Sequence, residues 1–235
     1  MNIESIIKIK QSNFNNWRII LENHLDYIYQ NKKYSDNEFQ KTFYETNQVL
    51  ADIADCFYKY GNFRDKIDDS KCYLNYLGQN LILKSEKTKS DFYWGLEKND
   101  FYLKYDIRFP LSLKSMDDDF WIDFLKLSKL GEFKFSENEI INSNEKKYFK
   151  KYTKSNLFQL MSNYFIHEID SFNLEENEKY YSFGLGELTI KWSIKTDWKE
   201  LIEKTSETFR ILHKMNYKLW KIQDTKDKKT LANNS

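Results

Sequence analysis

Cysteine is scarce: Cys56 and Cys72 are the only two in 235 residues. Two thiols build neither a disulfide framework nor a zinc site of four cysteines, and these two are not spaced as C-x-x-C. Long apolar runs are missing as well. The longest candidate, Phe158 to Ile166, is short and is interrupted by Gln159, Ser162 and Asn163, whereas a membrane-spanning helix needs roughly 18 or more residues with few charges. The opening MNIESIIKIK places charges inside its apolar stretch and offers no small-residue cleavage site, which is not the pattern of a secretory signal. Charge of one sign is absent too: 37 basic residues face 36 acidic ones, a net of +1. That balance excludes the strong global field of a DNA-coating protein or a polyacidic mimic. These absences predict a cytoplasmic protein with no membrane partner.

Catalytic and cofactor signatures are equally sparse. Gly184-Leu185-Gly186 supplies G-x-G, but the third glycine and the helix start that hold a pyrophosphate do not follow. Neither G-x-x-x-x-G-K-[ST] nor G-x-S-x-G occurs, which removes the phosphate loop and the nucleophile elbow. His167-Glu168 begins like H-E-x-x-H, but position 171 is Ser171, so the second zinc ligand is missing. No cofactor and no metal are expected, and the lack of a catalytic constellation leans against an enzyme without deciding the matter.

What the chain does contain is skewed. Lysine is abundant and arginine nearly absent (Arg18, Arg64, Arg108, Arg210); asparagine is frequent, while Val49 and Pro110 are the sole valine and proline. Lys, Asn, Ile, Phe and Tyr have AT-rich codons, so the composition points to an AT-rich bacterium or phage and dilutes chemical arguments from lysine or tyrosine abundance. Aromatics at 17% and charges at 31% are not a disordered composition. The length fits one large domain or two small ones and buries a core without metals or disulfides.

Periodicity divides the chain. Phe14, Trp17, Leu21, Leu25 and Ile28 recur at helical spacing. Ser35 and Glu38 form a capping box ahead of Phe39, Phe43, Leu50, Ile53, Phe57 and Tyr60, with Gly61 at the expected left-handed cap. The two helices predict an antiparallel pair. Ser70 to Lys84 reads as a third helix through Tyr73, Leu74, Leu77 and Leu81, although Gly78 weakens it. The period then drops to two: Phe92, Trp94 and Leu96 alternate with polar or small residues, and after a short polar loop Phe101, Leu103, Tyr105, Ile107 and Phe109 do the same. This predicts a β-hairpin with one buried face. A helix follows over Asp117 to Leu130, with acids at its start, then a short strand from Glu132. One or two helices are expected over Ser143 to Asp170, and a long strand over Tyr180 to Ile194. A last helix from Thr196 or Asp197 turns Trp198, Ile202, Phe209 and Leu212 inward, and a frayed polar tail begins at Asp224. The fold class is therefore α+β: an N-terminal helical pair packed beside a mainly antiparallel sheet backed by helices. The organisation expected is a helical part over 1–84, sheet plus helices over 85–222, and a flexible tail over 223–235.

Candidate site residues fall into three groups. Lys146, Lys147, Lys150, Lys151 and Lys154 cover one arc of a helix whose other side carries Tyr148, Phe149 and Tyr152. That surface suits an anionic partner, including nucleic acid at low salt. In a lysine-rich chain, a solvated lysine face over core aromatics is the simpler account and is favoured over the binding surface. Tyr93 and Tyr102 lie on the strands, where alternation turns some tyrosines outward as interface aromatics or under a second layer. Glu132-Phe133-Lys134 has the E-x-K spacing of metal-dependent nucleases, which put an acid and a lysine on one strand face, but Glu145-Lys146-Lys147 shows how readily that spacing arises by chance. Taken together, size, neutrality and aromatic abundance favour a small protein-binding factor that occludes a partner sterically, of the inhibitor, immunity or anti-defence type. The alternative is a nucleic-acid-binding or nuclease-like protein using the lysine face with Glu132 and Lys134.

Overall fold

A computed structural model describes residues 2–10, 16–29, 37–75, 78–107, 110–137 and 186–233. The chain divides into two compact units, Met1–Lys104 with Ile190–Arg210, and Tyr105–Thr189 with Ile211–Ser235. The fold is α+β.

Three helices open the first unit: α1 (Ile3–Ile9), α2 (Trp17–Tyr29) and α3 (Asn37–Gly61). The end of α2 meets the start of α3, where the Tyr27 hydroxyl donates to Glu38 and the His24 ring packs on Phe39 and Phe43. The pair is therefore antiparallel. In α2, Trp17, Leu21, Leu25 and Ile28 are buried, the stripe set by their spacing. Ser35 and Phe14 lie outside the described residues. At the C-terminus of α3 the left-handed residue is Asn62 (φ 51°), one position beyond the expected Gly61, which remains helical.

Strands β1 (Ile67–Asn75), β2 (Gly78–Ser85), β3 (Asp91–Glu97) and β4 (Asp100–Asp106) follow, joined later by β6 (Gly186–Ser193) in the order β1-β2-β3-β4-β6. β2 pairs antiparallel with β1 and with β3, and β3 and β4 form the expected hairpin around Lys98-Asn99. The helix expected over Ser70 to Lys84 is replaced by β1 and β2. Leu81 and Leu83 point to the core opposite Trp94 and Phe92, so the period there is two. Pairing on both sides outweighs the weak helical spacing that a few leucines suggested.

The inner sheet face packs against α3 and the first part of α5 (Trp198–Asn233). Trp94 stacks on Phe101 at 5.4 Å, and its indole N–H donates to the Leu50 carbonyl at 3.0 Å. Phe209 fills the space among Phe57, Phe63 and Phe92 with ring centroids 4.9–5.8 Å apart. Tyrosine and tryptophan suit such a core because a polar atom can reach a backbone partner while the ring stays dry.

In the second unit, α4 (Asp118–Lys126) runs into a tight turn at Leu127–Lys129, and β5 (Glu132–Glu137) lies next to β6. Asp117 caps α4 by accepting from the Phe120 N–H at 2.9 Å. The buried set includes Tyr105, Ile107, Phe120, Phe124, Leu127, Leu212, Met215 and Leu219. The Tyr105 hydroxyl donates to the Asn216 Oδ1 at 2.6 Å within it. Helix α5 continues to Asn233, through the segment expected to fray. Gln223–Asp227 and Asp224–Lys228 contacts, with the Thr225 hydroxyl donating to the Lys221 carbonyl, support a helix that has no apolar face there.

Candidate functional site

The residues singled out from sequence do not form one site. Lys146, Lys147, Lys150, Lys151 and Lys154 lie outside the described residues. Glu132 is exposed at the start of β5, with Lys134 two residues on in the same strand. No group of three or more His, Cys, Asp or Glu side chains able to hold a metal ion occurs among the described residues.

The two strand tyrosines have different environments. Tyr93 is half-buried across from Ile82. Tyr102, expected among the outward aromatics, is instead 2% exposed. Its ring lies over Gly95, so close that a Cβ there would sit 2.8 Å from the ring Cζ and 2.5 Å from the Gln79 carbonyl oxygen. The Lys104 ammonium sits 4.8 Å from the ring centroid, and Glu97 reaches Lys104 and Lys191 at 4.0 and 3.6 Å. This charged, half-buried cluster satisfies itself and leaves no free aromatic surface at Tyr102.

A different surface emerges on α4. Phe120, Asp123, Phe124 and then Leu127 are buried, so these residues define its inner side. The opposite side carries Asp118, Ile122 and Leu125 at spacings of four and three, one line along the helix, and exposed Lys129 follows at the end of the tight turn. Ile122 and Leu125 are each 50% exposed. Trp121, half-buried and edge-on to Phe120 with centroids 5.0 Å apart, flanks them. Tyr44 and Leu231 are each the one large exposed apolar residue on their helices among the described residues, and Ile19 and Tyr29 lie ten residues apart on α2, which is ordinary for protein surfaces.

The inner side of α4 is anchored by charge. Asp123 is buried and accepts from Lys214 at 2.6 Å and Lys126 at 2.9 Å. Burial alone would push its carboxyl up, but the two lysines outweigh that and hold it below the usual carboxylate range. Asp117 binds Lys218 at 2.7 Å, and that hydrogen bond, helped by the Phe120 N–H, lowers its carboxyl too. These contacts fix α4 on α5 and thereby aim Ile122 and Leu125 at solvent.

The sequence predicts a helix here but does not single out its outer line. The one signal for it is an excess of apolar residues, since Trp121, Ile122 and Leu125 exceed what one buried stripe takes when Phe120, Phe124 and Leu127 already fill it. No family model, curated protein or solved structure matches the chain. No helix among the described residues is long and apolar enough to cross a membrane.

Proposed function

We propose that this chain is a cytoplasmic protein-binding factor that acts by steric occlusion, of the inhibitor, immunity or anti-defence type, and that the outer side of α4 is its contact surface. The observation that carries this reading is the adjacency of exposed Ile122 and Leu125, one turn apart beside Trp121, on a helix anchored from behind. Such a patch follows ordinary interface anatomy: an apolar centre containing a tryptophan, with charges at its rim. Rigid anchoring favours binding because little conformational freedom remains to be lost when a partner docks.

The test compares the tagged wild-type chain with an Ile122→Asp/Leu125→Asp variant in capture from the host, at low and high salt and with nuclease treatment. Both positions are half exposed and outside the buried face, so the double variant should stay within about 1–1.5 kcal/mol of wild-type stability. A protein retained by wild type in both salts and lost from the variant is the expected result. Equal retention by the two chains contradicts the assignment, and nucleic acid retained only at low salt points to the lysine-face alternative.

A further inference from the structure

The exposed side of α4 and the turn that closes it read acid, apolar, apolar, base: Asp118, Ile122 and Leu125 on the helix and Lys129 on the turn. The ends of this line lie about 18 Å apart along the axis. The pattern is self-complementary in one orientation. Laid antiparallel on a second copy about a two-fold axis, Asp118 faces Lys129 of the second copy, Lys129 faces Asp118 of the second copy, and Ile122 and Leu125 pack on each other across the axis. A parallel arrangement would set like charges together. Closed two-fold contacts of this kind use the same patch on both chains.

The charges at the two ends are also free to do this. Lys126 is held by Asp123, and Asp117 by Lys218. Neither Asp118 nor Lys129 has an ion pair among the described residues. We propose that the occupant of this face is a second copy of the chain, docked antiparallel through α4. The proposal rests on the reading of α4 as a docking surface and supplies the partner. One short helix from each chain buries less than the roughly 1,000 Å² of a stable interface, so the dimer is weak, with a dissociation constant on the order of 0.1–1 mM. A second protein that binds the same face competes with the second copy.

The test is sedimentation velocity at low salt, over concentrations up to about 1 mM, on wild type, Asp118→Lys, Lys129→Asp and an equimolar mixture of the two variants. Wild type should shift towards dimer with concentration. Each single variant sets like charges opposite each other twice in the symmetric contact and should weaken self-association about tenfold or more. The mixture should restore it, because the Asp118→Lys chain presents bases at both ends of the line and the Lys129→Asp chain presents acids at both. That rescue also separates lost pairing from any effect on the helix itself, since each chain in the mixture carries the same substitution it carried alone. A wild type that stays monomeric throughout, or single variants that associate like wild type, overturns the proposal. Docking through α4 has its own readout: a partner protein captured by wild type and lost from Ile122→Asp/Leu125→Asp preserves it even if wild type is monomeric, and no such difference removes it as well.

Discussion

His24 is fully buried between α2 and α3, and burial lowers its imidazole from 6.5 to about 4. The Thr42 hydroxyl donates to the Phe39 carbonyl at 2.9 Å, so its oxygen is left to accept from the Nδ1–H of His24, 3.4 Å away. The Nε2 is then the unprotonated nitrogen, without a hydrogen-bond partner among the described residues. Protonation would place a charge among Phe39 and Phe43. Because the folded value lies below the unfolded one, the unfolded chain binds more protons between these limits, and stability falls as pH drops from 6.5 towards 4. The gap corresponds to roughly 3 kcal/mol. Urea unfolding at pH 7, 5.5 and 4.5 should show this loss in wild type and not in His24→Leu. A sequence shows that His24 sits on the apolar side of a helix, one turn from Leu21 and Ile28, but not that its second nitrogen meets no partner. Gly95 is similar: alternation marks it as an outer position of β3, while the ring of Tyr102 lying on it depends on a neighbouring strand.

Among the elements, those with one dominant period were legible. Helix α3 and the β3–β4 hairpin follow directly from Phe39 to Phe57 and from Phe92 to Tyr105, because burying one stripe or one face satisfies each. Ser70 to Lys84 was not legible, since Leu74, Leu77 and Leu81 fit a helix while Leu81 and Leu83 fit a strand, and the pairing of β2 with β1 and β3 decides between them. Helix α4 was legible as an element but not in its orientation. It is apolar on more than one side, and its buried face includes a carboxylate, Asp123, of a residue type that ordinarily stays in solvent. Asp123→Asn keeps the shape and removes the charge that Lys126 and Lys214 bind. It should lower stability by about 1.5–3 kcal/mol, whereas Lys126→Ala, which removes an exposed partner, should cost less than about 1 kcal/mol. The folded carboxyl lies below its unfolded value, so this contribution is present above about pH 4 and is lost as pH falls through the folded value. Denaturant midpoints at pH 7 and pH 3 for the three chains check both the size and the sign.

For the whole molecule, the proposed reading rests on surface shape, in a chain whose charges balance to a net of +1. The lysine excess is balanced by acids, and among the described residues much of it is paired within the chain, as at Lys10–Asp52, Lys59–Asp55, Lys214–Asp123 and Lys218–Asp117. The proposed factor would work through one contact surface, and among the described residues Ile122 and Leu125 on α4 are exposed apolar side chains that adjoin. The most direct measurement is photocrosslinking in the host from a photoreactive side chain placed at Leu125, compared with the same group at Lys228, which is exposed on α5 and paired with Asp224. Discrete protein adducts from position 125 and none from position 228 are the predicted result. No adduct from position 125, or the same adducts from both positions, would contradict α4 as the contact surface.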